Sequence, residues 1–222
     1  MSQGKPHAVL MGDLVGSSKA ASKTDLHELF NRVVEDANQR CAPEIASPLT
    51  ITLGDEFQGL AYTLGGAFDV VRGLRLRLLL ERVEARFVVG AITLETELNR
   101  ERAWNMMGEG LAEARAKLGD KDDTNRYRFS FPADPMLELL LDGIGRSLTR
   151  VEAGWTDTQR RYVARVLLDP ETPKGEIASA LGVSENSLYK VLRSAELRFY
   201  SRQIETIEEA LSREDRRREA AA

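Results

Sequence analysis

The sequence predicts an α+β fold, with a sheet flanked by helices and then an all-α region. Apolar strand-like runs alternate with segments of i, i+3, i+4, i+7 apolar spacing over the first 150 of the 222 residues. After residue 155 no strand pattern remains, and helical spacing continues toward the end. We therefore expect one domain at 1–150, a second at 151–200, and a C-terminal helix with a charged tail at 201–222.

The predicted elements of the first domain follow the order β-α-β-β-α-β, which is the ferredoxin-like unit. In chain order they are a strand at 8–15, a helix at 24–40, two strands at 49–53 and 57–62, a helix at 64–82 and a strand at 84–94. We expect three further elements, namely a helix at 105–118, an edge strand at 126–131 and a helix at 135–148. Residues 43–48 are expected to be a connector, and Ser22 or Thr24 to cap the first helix.

Composition limits the class of protein. The chain is 42% apolar and 30% charged, as ordinary globular proteins are, and its apolar runs are too short to span a bilayer. Without a signal-peptide pattern, and with Cys41 as the single cysteine, we expect a cytoplasmic protein with no membrane partner. One cysteine and two histidines do not make a zinc site of the usual type, so any metal must be held by oxygen.

Two acidic residues end neighbouring predicted strands. Asp13 follows Gly12 at the end of the first strand, and Asp55 follows Gly54 at the tip of the hairpin. In the βαββαβ topology the first strand pairs with this hairpin, so the two carboxylates are expected to lie close together. With the Leu14 carbonyl and water they form an oxygen site for Mg²⁺ or Mn²⁺, which commonly also binds substrate phosphates. The alternative is that both Gly-Asp pairs serve only as turns.

These motifs resemble those of known nucleotide enzymes. "AVLMGDLVGSS" at 8–18 resembles the metal-binding strand of class III nucleotidyl cyclases, and "LGDEF" at 53–57 resembles the hairpin of those cyclases and of GGDEF diguanylate cyclases. The whole chain, including "GEGLAEARAKL", most resembles the SatD family. The resemblance to the cyclases implies a cyclase-like palm domain with Asp13 and Asp55 as metal ligands, and the resemblance to the SatD family implies the fold alone. The cyclase resemblance also implies a bound nucleotide, with candidate contacts at Gly16, Ser17, Gly54 and Arg115.

The sequence departs from the cyclase pattern at four positions. Ile51 stands where cyclases place the base-reading Lys, and Ala112 and Ala116 stand where they place the Asn and Arg that steady the transition state. Leu53 replaces the second Gly of GGDEF proteins. Three interpretations stay open: a nucleotide- and metal-binding regulator, an active nucleotidyl transferase or cyclase of non-standard specificity, or a degenerate palm that serves only for dimerisation.

The segment "EIASALGVSENSLYKVLRSA" at 176–195 predicts a helix-turn-helix, with Gly182 in the turn and Ser184 as the cap of the second helix. It resembles LuxR-type and sigma region-4 modules, which implies a DNA partner. The expected apolar core is Ile177, Ala178, Leu181, Val183, Leu188 and Leu192. The expected DNA-contacting residues are Ser184, Asn186, Ser187, Lys190 and Arg193.

The low net charge of this region and the pattern of the last helix allow a second interpretation. Residues 155–200 carry seven Lys and Arg against six Asp and Glu, a net charge of +1, so a helical domain used for assembly is the alternative to DNA binding. A short heptad seam predicts a homodimer through the last helix. Its residues are Leu197, Tyr200, Ile204, Ile207 and Leu211.

Overall fold

The structure, a computed structural model, describes residues 6–221, so residues 1–5 of the predicted first domain and residue 222 of the predicted tail lie outside it. A six-stranded mixed sheet has the order β2-β3-β1-β4-β5, and β6 also pairs with β4. Its strands are β1 (Pro6–Leu14), β2 (Ile45–Ile51), β3 (Glu56–Ala61), β4 (Ala85–Leu94), β5 (Gly108–Glu109) and β6 (Tyr127–Ser130). Only the β4–β6 pair among these is parallel.

Eight α-helices lie within the described residues. They are α1 (Lys23–Arg40), α2 (Leu64–Leu80), α3 (Leu111–Gly119), α4 (Pro135–Ala153), α5 (Asp157–Leu168), α6 (Lys174–Ala180), α7 (Glu185–Ser194) and α8 (Leu197–Ala221). Helices α1 and α2 bury their apolar sides in the larger core on one sheet face, whereas α3 packs in a smaller core on the other. The predicted β-α-β-β-α-β order is confirmed, and Ser22 caps α1 by accepting a hydrogen bond from the Asp25 amide.

Strand β2 corrects the prediction of a connector at 43–48. The strand starts at Ile45 and contains Pro48, although proline cannot donate a ladder hydrogen bond. Its pairing with β3 shifts register between Ile45 and Ser47 and again between Ser47 and Thr50. Because β2 is an edge strand, these irregularities accommodate the proline without breaking an interior ladder.

Helix α3 begins later than the helix predicted at 105–118. Gly108 and Glu109 instead form β5 against the end of β4. Gly110 follows with a φ of 91°, and a Cβ at this residue would lie 2.4 Å from the Ala91 carbonyl oxygen. Only glycine fits there, so the chain turns before the helix starts at Leu111.

The C-terminal helices have the predicted turn, cap and apolar core. Gly182 has a φ of 70° between α6 and α7, and the Ser184 hydroxyl accepts a hydrogen bond from the Ser187 amide. The expected core residues are buried or partly buried, and they are Ile177, Ala178, Leu181, Val183, Leu188 and Leu192. Trp155 joins both ends of this unit, since its indole donates to the Ala195 carbonyl at 2.8 Å.

Helix α8 carries the heptad seam for which the sequence predicts a homodimer. The side chains of Tyr200, Ile204, Ile207 and Leu211 are all buried within the chain. Helix α8 packs against α2 and α4, which cover the seam. The seam is therefore not available to a second copy, while the oligomeric state itself stays a prediction.

The predicted charged tail is attached to the sheet. Asp215 accepts hydrogen bonds from the Leu64 and Gly65 amides, at 2.8 and 3.0 Å, and so caps the start of α2. Arg218 donates to the carbonyls of His7 and Ile92, at 3.0 and 2.6 Å. The end of α8 is thus bound to both β1 and β4.

A buried polar network connects α2, α4, β6 and α8. Arg75 and Glu152 form an ion pair at 2.7 Å, with side chains only 2% and 0% exposed. The phenols of Tyr127 and Tyr200 both donate to the same Glu152 oxygen. Burial raises the pKa of both tyrosines well above the usual value, so both stay neutral donors. Burial alone would lower the pKa of Arg75, but the nearby negative charge of Glu152 raises it.

We predict that Glu152→Ala lowers the free energy of unfolding by about 3–5 kcal/mol, because it leaves a buried guanidinium without its main partner. Urea denaturation followed by circular dichroism measures this. The matched control is Glu205→Ala, which removes an exposed ion pair with Arg202 and should change stability by less than about 1 kcal/mol. Equal losses of stability in both variants would contradict the stabilising role of the Glu152 network.

Candidate functional site

Strand β1 brings the predicted acids to one end of the sheet. It lies between β3 and β4, so Asp13 is directly opposite Glu56 on one side and Arg86 on the other. The Leu14 amide donates to the Asp55 carbonyl at 2.9 Å, which holds the hairpin tip against the end of β1. Asp13 and Asp55 therefore occupy the same end of the sheet, as the topology predicts.

Glycines shape both segments. A Cβ at Gly12 would lie 2.4 Å from the Phe57 ring and 2.9 Å from the Phe87 ring, so no larger residue fits beside Asp13. Gly54 has a φ of 82°, and Gly16 has a φ of 76° just before a short 3₁₀ turn. The Gly-Asp pairs are thus turn and close-packing signals, independently of any metal.

Asp13 is buried and paired with an arginine that sequence reasoning missed. Its Oδ2 lies 3.1 Å from the Arg86 Nε, and both residues are less than 8% exposed. The contact is not aligned as a hydrogen bond, because Arg86 Nε is left without a hydrogen-bond partner. Arg86 also donates to the Asp120 carbonyl at 3.3 Å. In the sequence, the feature that points to this pair is Arg86 itself, a charged residue in an otherwise apolar strand.

The pKa of Asp13 is raised above its usual value. Burial is the largest cause, and the negative charges of Asp55 and Glu56 add to it, while Arg86 opposes it. The folded protein therefore holds this proton more tightly than the unfolded chain does. The contribution of Asp13 to stability is full at low pH and is lost as the pH rises through its folded-state pKa.

Asp55 faces a cavity on the α1 side of the sheet. The Ser17 hydroxyl donates to Asp55 Oδ2 at 2.6 Å. The cavity beside this contact has a volume of about 540 Å³. Its polar lining includes Ser17, Ser18, Lys23, Thr24, His27 and Asp55. Two predicted nucleotide contacts, Ser17 and Gly54, lie in this wall, and Lys23 is a cation that sequence reasoning missed.

Arg115, the fourth predicted nucleotide contact, lies on the other face of the sheet. Its guanidinium donates to Gln58 Oε1 at 2.7 Å and lies 3.8 Å from Glu56 Oε2. The side chain is half exposed. By strand alternation, Asp13 projects toward this α3 face as Val9 and Met11 do. The site therefore spans both sides of one sheet end.

The donor set suits a hard cation with few protein ligands. Among residues 6–221 there is no cluster of three or more His, Cys, Asp or Glu side chains placed to hold a metal ion. Asp13 and Asp55 lie at the same end of the sheet, with side chains toward opposite faces, and the negative charge of Asp55 raises the pKa of Asp13. Mg²⁺ and Mn²⁺ commonly bind through one or two carboxylates, with water and phosphate oxygens completing the shell. The residues present fit such an ion.

The predicted DNA-contacting residues lie on α7, which packs mainly against α5, α6 and α8. Their side chains are exposed, and they are Ser184, Asn186, Ser187, Lys190 and Arg193. The Ser184 hydroxyl caps α7 and also lies 2.8 Å from the Ser187 hydroxyl, so Asn186, Lys190 and Arg193 are the accessible groups. As for membranes, every helix among residues 6–221 is too short or too polar to cross a bilayer.

Comparison with known proteins defines the family. The SatD family matches residues 7–211, and the chain belongs to this family. No curated protein matches it.

Similar solved structures are nucleotide cyclases. They include adenylate cyclases from Trypanosoma brucei, at 12% identity, a TM-score of 0.39, and coverage of 50% of this chain and 66% of that one. The adenylyl cyclase CyaB from P. aeruginosa is 14% identical, with a TM-score of 0.39 and coverage of 52% and 72%. A bacterial light-regulated adenylyl cyclase is 12% identical, with a TM-score of 0.38 and coverage of 57% and 76%. Similarity this low carries no inference about activity.

We predict that Arg86→Met raises the pKa of the Asp13 carboxyl further, because Arg86 is the main charge that opposes the effect of burial. A carboxyl-carbon NMR titration of both proteins measures the shift. Arg115→Met is the control. The Arg115 guanidinium contacts Gln58 and Glu56 instead of Asp13, so its loss should change the pKa of Asp13 less. An Asp13 pKa that falls in Arg86→Met, or that rises equally in both variants, would contradict this account.

Proposed function

We propose that the protein binds a nucleotide together with Mg²⁺ or Mn²⁺ at the end of β1, and that it acts as a ligand-responsive regulator. Asp13 and Asp55 would hold the ion, with the Leu14 carbonyl as a further oxygen ligand. When bound, the ion supplies positive charge to the phosphates of the nucleotide. The observation that carries the proposal is the contact of Asp55 with Ser17 beside the 540 Å³ cavity.

The cavity offers suitable groups for phosphates. Lys23 provides a cation, and the hydroxyls of Ser18 and Thr24 provide donors along one wall. Leu53, which is 71% exposed at the hairpin tip, offers an apolar surface beside them. The volume lies within the range of about 300–1,000 Å³ that is usual for small-ligand sites.

Arg86 partly balances the negative charge of Asp13 when no ion is bound. It places a positive charge against Asp13, where a divalent cation would otherwise lie. Because that contact is not aligned as a hydrogen bond, we expect a divalent ion to compete with it for Asp13. Metal binding requires the ionised carboxylate, so the affinity should fall as the pH decreases through the raised pKa of Asp13.

Binding without turnover is favoured over catalysis. Ala112 and Ala116 are exposed on α3 and offer no polar group where cyclases place transition-state residues. Ile51 gives no base-reading cation on β2. An active nucleotidyl transferase or cyclase of non-standard specificity is the alternative.

We predict that Mn²⁺ at a hundred times its dissociation constant raises the melting temperature by about 5–10 °C, because it binds only the folded state. Asp13→Asn and Asp55→Asn should each abolish the rise. Asparagine keeps an oxygen that can accept the Ser17 hydrogen bond, so the change removes charge more than structure. Asp122→Asn, in an exposed loop, should respond as the wild type does. A full Mn²⁺ response in both site variants would refute the metal site.

Nucleotide binding and turnover are separated by one experiment. The protein is incubated with each of the four nucleoside triphosphates and Mn²⁺, bound nucleotide is counted after rapid filtration, and the mixture is resolved by chromatography. We expect Mn²⁺-dependent retention of intact nucleotide that is lost in the Asp13→Asn/Asp55→Asn double variant. Product formation that is lost in this variant would instead establish the enzyme alternative.

We further propose that α7 binds DNA. This proposal is supported by the glycine turn before α7, its serine cap and the exposure of Asn186, Lys190 and Arg193. Arginine and asparagine are common base-reading residues, and lysine suits a phosphate. Ligand binding at the sheet end could reach α7 through α2 and α5, which pack against each other.

We predict that Lys190→Ala/Arg193→Ala reduces the slope of log affinity against log salt concentration by about 2, since two positive charges are lost from the surface that meets the DNA. Fluorescence anisotropy with genomic DNA fragments at several salt concentrations measures the slope. Arg213→Ala/Arg216→Ala removes the same charge from α8 and should leave the slope unchanged. Absence of wild-type binding at low salt, or equal slopes in all proteins, would refute the role of α7.

A further inference from the structure

A second cavity lies where α4 and α5 meet the beginnings of β4 and β6. Its volume is about 480 Å³, and its lining shares no residue with the cavity beside Asp55. The charged groups in its wall are Arg75, Glu84, Arg126, Arg146, Arg150 and Arg160. Five arginines thus face one carboxylate, in a protein whose overall net charge is −4.

Glu84, the single carboxylate in this wall, is shared by two arginines. Glu84 Oε2 lies 3.2 Å from Arg75 Nη2 and 3.3 Å from Arg126 Nε, so one oxygen serves two guanidiniums. Arg75 has a second partner in Glu152, whereas Glu84 is the only acid that pairs with Arg126 among the described residues. Burial lowers the pKa of Arg126, and the positive charges of Arg75 and Arg86 lower it further. Positive charge is therefore only partly neutralised here.

Two other arginines have capacity for an anion. Arg160 Nε is buried and has no hydrogen-bond partner within the described part of the chain. A buried donor left without a partner is unfavourable, so a ligand that accepts its hydrogen bond is favoured. Arg146, also in the wall, is half exposed, and its Nη2 reaches Asp123 Oδ2 at 3.3 Å.

We propose that this cavity binds a small molecule that carries a phosphate group. The guanidinium fork matches phosphate oxygens in a bidentate geometry, and several forks converge on one space. The volume admits a ligand larger than phosphate alone. Thr124, which is exposed in this wall, adds polar surface for the remainder of the molecule. No divalent ion is needed, so the site is independent of Asp13 and Asp55.

The test is a thermal-shift titration in EDTA at constant ionic strength. The probes are inorganic phosphate, pyrophosphate and adenosine 5′-monophosphate, each compared with chloride. We expect at least one of the three to raise the melting temperature, with saturation. If adenosine 5′-monophosphate binds more tightly than phosphate, the ligand is a phosphorylated organic molecule. If phosphate or pyrophosphate binds as tightly, the ligand is the free anion.

Substitutions then test whether the probe binds in this cavity. Arg126→Gln and Arg160→Gln should each weaken the best probe at least tenfold, and Arg213→Gln, an exposed arginine on α8, should not. Arg75 is left unchanged because it belongs to the buried network. Asp55→Asn should bind the probe as the wild type does, which separates this site from the metal site. The proposal is overturned if no probe differs from chloride, if all arginine variants respond alike, or if Asp55→Asn abolishes binding.

Discussion

Strand β1 is the constraint on which the rest of the structure depends. It is buried along its length and pairs with β3 on one side and with β4 on the other. This double pairing fixes Asp13 opposite Arg86 and places the hairpin tip with Asp55 beside Leu14. The geometry of the acid end is thus a consequence of sheet register, and a shift of one residue would turn Asp13 to the opposite face.

Much of the fold could be predicted because apolar periodicity is a local signal. The period of 3.6 located α1 and α2, and the buried runs located β1 and β4. The errors came from residues whose effect depends on context. Pro48 is compatible with a strand only because β2 lies at the sheet edge, and Gly110 stops the helix only because Ala91 lies against it.

The site could be predicted in part for the same reason. Asp13 and Asp55 follow from short motifs at strand ends, but the pairing of Asp13 with Arg86 depends on a register between strands more than seventy residues apart. The heptad seam of α8 shows what apolar spacing alone does not predict. Its apolar spacing predicted a buried face correctly, yet spacing does not reveal whether the cover comes from a second chain or from α2 and α4 of the same chain.

Helix α8 and the Glu152 network join the helical region to the sheet at both ends. Asp215 and Arg218 hold the last turns of α8 to the sheet region, while Tyr200 at its beginning shares Glu152 with Arg75 of α2. The arginine-lined cavity lies along the same junction. Arg160 of α5 lines this cavity, so a ligand bound there would contact a helix that also packs against α7.

The most direct measurement is a crystal structure of the protein soaked with Mn²⁺ and a non-hydrolysable nucleoside triphosphate analogue, with anomalous data that locate manganese. The account predicts a peak between the carboxylates of Asp13 and Asp55, with the phosphates beside Ser17 and Lys23 and with Arg86 moved away from Asp13. An intact Asp13–Arg86 contact with no peak at this end of the sheet would contradict it.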